Sequence, residues 1–174
     1  MFYRPDTSPV SDTPGAISEY INYGESDSIH SFFYPKKDAI ASIFFLHGNA
    51  GNLDAWSEVA DLLNQANYQV FIIDYPGFGN SSETPNHKDV FISTQKAIEH
   101  FKKLSHVMDG KRLLMGFSLG GNLAVKVGFD NPELFDAMLI EGAFESHKTI
   151  AIKRVTRPLK FAPLLLVKAA VKGK

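Results

Sequence analysis

The residues Gly116-Phe117-Ser118-Leu119-Gly120 form a G-x-S-x-G motif. A serine spaced in this way suits a nucleophile on a tight turn between a strand and a helix, where bulk two positions to either side would clash. The flanks fit that context. The apolar run Leu113-Leu114-Met115 comes before it, and the small-residue stretch Gly121-Asn122-Leu123-Ala124-Val125-Lys126-Val127 reads as a helix after it. Ser118 then projects from the end of a sheet, with the positive end of the helix aimed at the reacting centre. The chemistry this permits is attack on a carbonyl carbon. It requires a histidine to take the hydroxyl proton and a carboxylate to fix that histidine.

Stepping outward, the elements that must hold Ser118 follow from hydrophobic periodicity. Residues 1–15 are rich in Pro, Ser, Thr and Asp and read as an irregular lead-in. Ile17 to Tyr23 and Ser28 to Tyr34 flank Gly24-Glu25-Ser26-Asp27 and predict an antiparallel hairpin. Ala39 to Leu46 is almost wholly apolar, as in a strand buried on both faces. Leu53 to Gln65 has helical spacing, with Leu53, Trp56, Val59, Leu62 and Leu63 on one side. Tyr68–Asp74, Leu113–Met115 and Phe135–Ile140 read as strands, and Val90–Leu104 as a helix. Strands alternating with helices give an α/β fold, a mostly parallel sheet with helices on both faces. The loops His47–Asn52, Asp74–Ser81 and Gly116–Gly120 then all fall at the carboxyl ends of strands, where such sheets collect chemistry.

The 174 residues fit a single domain. With 44% hydrophobic and 21% charged residues and a net charge of −1, the chain is an ordinary globular one with no electrostatic case for nucleic acid. No cysteine is present, so disulfides, thiolate metal sites and a cysteine nucleophile are excluded. The N-terminus lacks the pattern of a signal peptide, and no apolar run reaches the ~18 residues of a membrane span. The default expectation is a cytoplasmic protein. No metal or organic cofactor is implied, since the glycine-rich loops do not match G-x-G-x-x-G.

Four blocks, taken in order, carry a resemblance: His47-Gly48-Asn49-Ala50-Gly51-Asn52, Asp74-Tyr75-Pro76-Gly77-Phe78-Gly79-Asn80-Ser81, Gly116-Phe117-Ser118-Leu119-Gly120-Gly121 and Leu139-Ile140-Glu141-Gly142-Ala143-Phe144. From about Ile17 to about Phe144 the chain resembles the α/β-hydrolases, and within them the esterase/lysophospholipase-like group with an H-G-N-A-G-N loop. One departure is Pro76, where many relatives carry arginine. The resemblance implies that Ser118 attacks an ester or thioester carbonyl, in a small-molecule or lipid ester. It also implies that the backbone N–H groups of Asn49 and Leu119 form the oxyanion hole. Gly48 and Gly51 would let their loop approach the substrate, Gly116 and Gly120 would shape the elbow, and His47 would brace its loop. Asp74 is expected to shape its own turn.

In that family the acid and the base follow the serine, on loops after two further strands. Here His147 is the only histidine after Ser118, and no Asp, Glu or His follows Lys148. The resemblance therefore implies a domain whose last two strands are missing, C-terminally incomplete or a short relative, with residues 145–174 as a cap or helical segment. Such a chain would be an impaired hydrolase, or an inactive binding or interaction module on the same fold. Glu141 and His147 are the remaining acid and base candidates, against plainer roles as a bracing and a surface residue. An unpaired edge is expected at Phe135–Ile140. From Thr149 onward every charge is positive and interleaved with apolar residues. That suits either a cap helix over an acyl pocket or peripheral contact of 153–174 with an anionic membrane.

Overall fold

Ile43, Phe44, Phe45 and Leu46 follow one another with no polar residue between them, and such a strand needs cover on both faces. The computed structural model, which describes residues 3–104, 110–143 and the backbone of 167–169, provides it. The chain runs through a hairpin of β1 (Ile17–Asn22) and β2 (Ser28–Tyr34), then β3 (Ser42–Leu46), α1 (Leu53–Gln65), β4 (Gln69–Ile73) and α2 (His87–Phe101). It continues with β5 (Arg112–Phe117), α3 (Leu119–Asp130), β6 (Ala137–Glu141) and a short β7 (Val167–Ala169). The strand order is β1-β2-β4-β3-β5-β6-β7. β4, β3, β5 and β6 are mutually parallel, while the hairpin joins β4 antiparallel.

Alternation along β3 divides the core in two. Ile43 and Phe45 pack with Val70 and Ile72 of β4 under Leu53 and Ala60 of α1. Phe44 and Leu46 face the other way, with Phe71, Ile73 and Leu114, beneath Val90, Ala97 and Phe101 of α2 and Ala124 and Val127 of α3. Phe44 is the hub of that second layer: its ring centroid lies 5.5 Å from Phe71, 5.4 Å from Phe101 and 6.4 Å from Phe135. Truncating such a fully buried ring to alanine costs about 3–5 kcal/mol.

The helix starts have local causes. Asn52 caps α1 through its side chain, which accepts from the N–H of Asp54, and Asn86 caps α2 by accepting from Asp89 at 2.9 Å. α2 therefore opens at His87, before the first apolar residue of its periodic stripe at Val90.

The expected unpaired edge is not present. Met138, Leu139 and Ile140 of β6 pair antiparallel with Ala169, Lys168 and Val167. The reason is that an open row of N–H and C=O groups takes a strand from wherever the chain can supply one. Residues 145–174, expected as a cap or helical segment, thus contribute a three-residue strand. The rest of that stretch, including His147 and most of the basic 153–174 tail, lies outside the described residues. No helix among the described residues is long and apolar enough to cross a membrane.

Candidate active site

Gly116, next to the last residue of β5, lies beside Leu46 of β3 and Ile140 of β6, which brings the elbow to the carboxyl edge of the parallel strands. The backbone of Ser118 then turns through φ 54° and ψ −106° before α3 begins at Leu119. A non-glycine residue held at positive φ costs on the order of 1–3 kcal/mol and persists only where its surroundings enforce it. Here they do. The Ser118 N–H donates to the Glu141 carbonyl at 2.7 Å, and the Gly120 N–H donates to the His47 carbonyl at 3.0 Å. Gly120 has no room for a side chain, because a β-carbon would run into the carbonyls of Leu46 and His47. One at Gly116 would meet the backbone of Gly120 and, at 2.7 Å, the methyl of Ala124.

The loop after β3 closes over this turn. A β-carbon on Gly48 would lie 3.8 Å from that of Ser118 and 3.2 Å from the Trp56 ring, so this glycine permits the close approach. Gly51 has a different task. It sits at φ +74° with its missing β-carbon directed at Ala55 of α1, and serves the turn into the helix. The N–H of Leu119, at the first position of α3, has no partner among the described residues, as expected of an orphan helix-start donor. The Asn49 side chain is held from outside its loop, its Oδ1 accepting from the Arg4 N–H at 3.1 Å.

His47 is wholly buried and spoken for on both sides. Its Nε2 lies 3.0 Å from Asp74 Oδ1 and its Nδ1 lies 2.8 Å from the Gly48 carbonyl. Tyr75 donates its hydroxyl to the His47 carbonyl at 2.8 Å and sets its ring at a tilt against the imidazole, with centroids 4.5 Å apart. Burial drives the Tyr75 hydroxyl pKa far up, which keeps it a donor. Asp74 was expected to shape its own turn. Its carboxylate instead crosses to the neighbouring loop, taking His47 on one oxygen and the Leu53 N–H at 3.2 Å on the other.

The other described histidines are engaged away from Ser118. His30 Nε2 lies 2.7 Å from Ser18 Oγ, His87 Nδ1 lies 2.8 Å from the Tyr3 hydroxyl, and His100 Nε2 lies 2.8 Å from Glu19. Glu141 is level with Phe117 at the ends of β6 and β5, so its backbone is adjacent to the elbow. Among the described residues no group of acids and histidines is gathered to hold a metal ion.

Sequence reasoning missed the part played by the chain start. Residues 3–11 form no helix or strand, yet they are bonded to two of the three loops, His47–Asn52 and Asp74–Ser81. Besides the Arg4 bond, Asp6 accepts from the Gly79 N–H at 2.7 Å, Ser8 accepts from the Asn52 amide at 3.0 Å, and Val10 exchanges two 3.0 Å bonds with the Asn80 amide. Among the described residues, two concavities bear on the placing of the site. The larger, about 560 Å³, lies at the amino ends of β3 and β4, against Lys36, Ser42 and Gln69, at the opposite edge of the sheet from the elbow. The smaller, about 300 Å³, abuts the elbow and is walled by Tyr3, Phe91, Leu119 and Leu123. Chemistry at Ser118 concerns the second.

The uncharacterized protein YfhR of Escherichia coli K12 is 33% identical over 159 residues, covering 87% of this chain and 56% of that one. The chain thus spans little more than half the length of that relative. Protein bem46 of Schizosaccharomyces pombe is 31% identical over 108 residues, covering 62% of this chain and 36% of that protein. Among solved structures, an esterase from Pyrococcus furiosus superposes with a TM-score of 0.70 at 14% identity, over 88% of this chain and 62% of the esterase. Residues 41–167, from the start of β3 to the edge of β7, match the family described as the alpha/beta hydrolase fold. With the strained serine between β5 and α3 on a mostly parallel sheet, this chain belongs to the α/β-hydrolase fold family.

Proposed function

We propose that the protein is a serine hydrolase of carboxylic esters or acyl thioesters, with Ser118 as nucleophile. The observation that carries the reading is the Ser118 backbone, held at φ 54° with its own N–H turned away to Glu141. Strain of this kind clusters at active sites and ligand clamps. In the proposed step Ser118 Oγ bonds to the carbonyl carbon, and the carbonyl electron pair moves onto oxygen. The N–H groups of Leu119 and Asn49 receive that oxyanion. Each such donor is worth about 3–4 kcal/mol of barrier. Collapse expels the alcohol or thiol with the serine's proton, and water then releases the acid from the acyl-serine. The esterase of the same fold supports the reading.

The base is the open member. His47 is committed to Asp74 and Gly48, and no described histidine is hydrogen-bonded to Ser118. Glu141 and His147 stand as acid and base candidates beside a relay supplied by other residues. Turnover by the described residues alone is expected to be weak, with the residual acceleration that binding and an oxyanion hole give without a relay. That same observation favours a second reading, an inactive binding module on this fold.

Labelling with a fluorophosphonate, read by intact mass, separates the two. A single adduct that is lost in Ser118→Ala is expected. A chain that stays unmodified under prolonged excess probe would leave the binding module as the reading.

A further inference from the structure

The chain start and the pocket beside the elbow belong together. Tyr3 is 7% exposed, with its hydroxyl on His87 at the head of α2 and its ring 5.3 Å from that imidazole. Burial pushes its phenol up to about 12, so it remains a neutral, docked donor at ordinary pH. Its neighbour Arg4 holds Asn49 through the backbone. Two consecutive residues thus touch both the pocket and the proposed oxyanion loop.

The pocket's long wall is one stripe of α3. Leu119, Leu123 and Lys126 recur at helical spacing and all line it, with Phe91 of α2 opposite. Lys126 lays its ammonium over the Phe91 ring at 4.4 Å and reaches Asp130 at 3.3 Å, so its charge is occupied and its stem faces the cavity. The wall begins at the residue next to the candidate nucleophile. It runs seven residues along α3, about 10 Å at the helical rise. An extended chain advancing roughly 1.25 Å per carbon, from bonds of about 1.5 Å, fills that length with about eight carbons.

We propose that this cavity, roofed by Tyr3, binds the acyl chain of the substrate, an unbranched apolar chain of about six to ten carbons. The inference rests on Ser118 being the nucleophile, because that is what makes Leu119 the mouth of the pocket. Leu119, Leu123, Phe91 and the flank of Tyr3 make the lining mainly apolar, with His87, Asn122 and Lys126 its polar members.

The test is binding of saturated fatty acids from butanoate to hexadecanoate to the 174-residue chain, followed by methyl NMR of its leucines. Affinity should rise about fourfold per methylene, the factor for burying one CH₂, and level off near ten carbons. The methyls of Leu119 and Leu123 should shift most. Leu123→Trp, which fills the cavity, should weaken octanoate at least tenfold, and Tyr3→Ala, which removes the roof, provides a second variant in case the first does not fold. Shifts confined to other leucines, or affinity indifferent to chain length, would overturn the proposal. Fluorophosphonate labelling of the same sample keeps the two readings apart. Binding at Leu119 and Leu123 without labelling upholds the pocket and removes the nucleophile, whereas labelling without such binding does the reverse.

Discussion

Asp74→Asn tests how the candidate site is held. The carboxylate has no solvent exposure and two partners, His47 Nε2 at 3.0 Å and the Leu53 N–H at 3.2 Å. Leaving a buried hydrogen-bonding group without its partner costs about 1–3 kcal/mol. Asparagine keeps the shape and one acceptor, so the His47 contact survives as a neutral hydrogen bond. Its NH₂ then faces the Leu53 N–H, donor against donor, and an unsatisfied buried donor costs about 1–3 kcal/mol. The expected loss is therefore about 1–3 kcal/mol for Asn, with one group unmatched, and about 2–6 for Ala, with two, out of a total that for ordinary domains is about 5–15. Urea denaturation reads it directly, as a lower midpoint at unchanged slope. The same carboxylate ties the start of α1 to the loop that carries Asn49, so labelling of Ser118 should slow by about tenfold or more, as a misplacement of around 1 Å does. An Asp74→Asn protein within about 0.5 kcal/mol of the parent, with unaltered labelling, would refute this account.

Gly120→Ala should lower the thermal midpoint by roughly 6–12 °C, since its methyl meets backbone carbonyls that cannot swing aside and overpacking of about 3 kcal/mol converts at 2–4 °C per kcal/mol in a domain of this size. Gly121→Ala, whose nearest neighbours stand at 3.2–3.3 Å, should cost clearly less, and equal midpoints would contradict the packing of α3 on β3. Burial raises the phenols of Tyr3, Tyr23, Tyr34 and Tyr75, so the folded protein holds those protons more tightly than the unfolded chain. Stability should be intact below about pH 10 and fall as pH rises through the folded values. Absorbance at alkaline pH should show these phenols ionising late, and full ionisation near pH 10 in the folded state would count against it. Burial also lowers the His30 pKa, with Ser18 at its Nε2 and no partner at Nδ1 among the described residues. The unfolded chain then binds the proton better, so stability should be complete above about pH 6.5 and drop as pH falls below it. Phe32 and Tyr20 pack around that ring, and His30→Gln should flatten this acid limb of a thermal-midpoint profile.

Periodicity was enough for the elements that bury a stripe or an alternating face. Leu53–Gln65 is read from its apolar spacing to the residue, because the cap at Asn52 and the first core contact at Leu53 coincide. Where the two separate, the reading slips: α2 starts at His87, three residues ahead of Val90, on a polar first turn whose only signal is Asn86 followed by Asp89. The elbow was legible for the same reason it is strained, since glycines at fixed offsets mark a turn that tolerates nothing larger. The docking of Tyr3 to Ser11 was not. Its bonds join an irregular segment to side chains 43 to 84 positions away, and no local pattern encodes such pairs. The β6–β7 pairing was hidden likewise, because Val167-Lys168-Ala169 is no more strand-like than its neighbours and is selected by the open edge it meets.

Ser118 owes its conformation to three separate strands, and this decides where the site is vulnerable. Its N–H is held by the end of β6 through Glu141, and the turn after it by the end of β3 through the His47 carbonyl. That carbonyl also accepts the Tyr75 hydroxyl from the loop after β4. Each bond is worth about 1 kcal/mol, so no single one offsets a positive φ costing on the order of 1–3, whereas the set does. A change at Tyr75, which touches neither serine nor substrate, should therefore relax Ser118. Tyr75→Phe keeps the ring contact with His47 and removes only the hydroxyl. It should leave the fold intact by circular dichroism while slowing fluorophosphonate labelling several-fold. Labelling unaffected by Tyr75→Phe would mean that the hydrogen bonds from β3 and β6 suffice on their own.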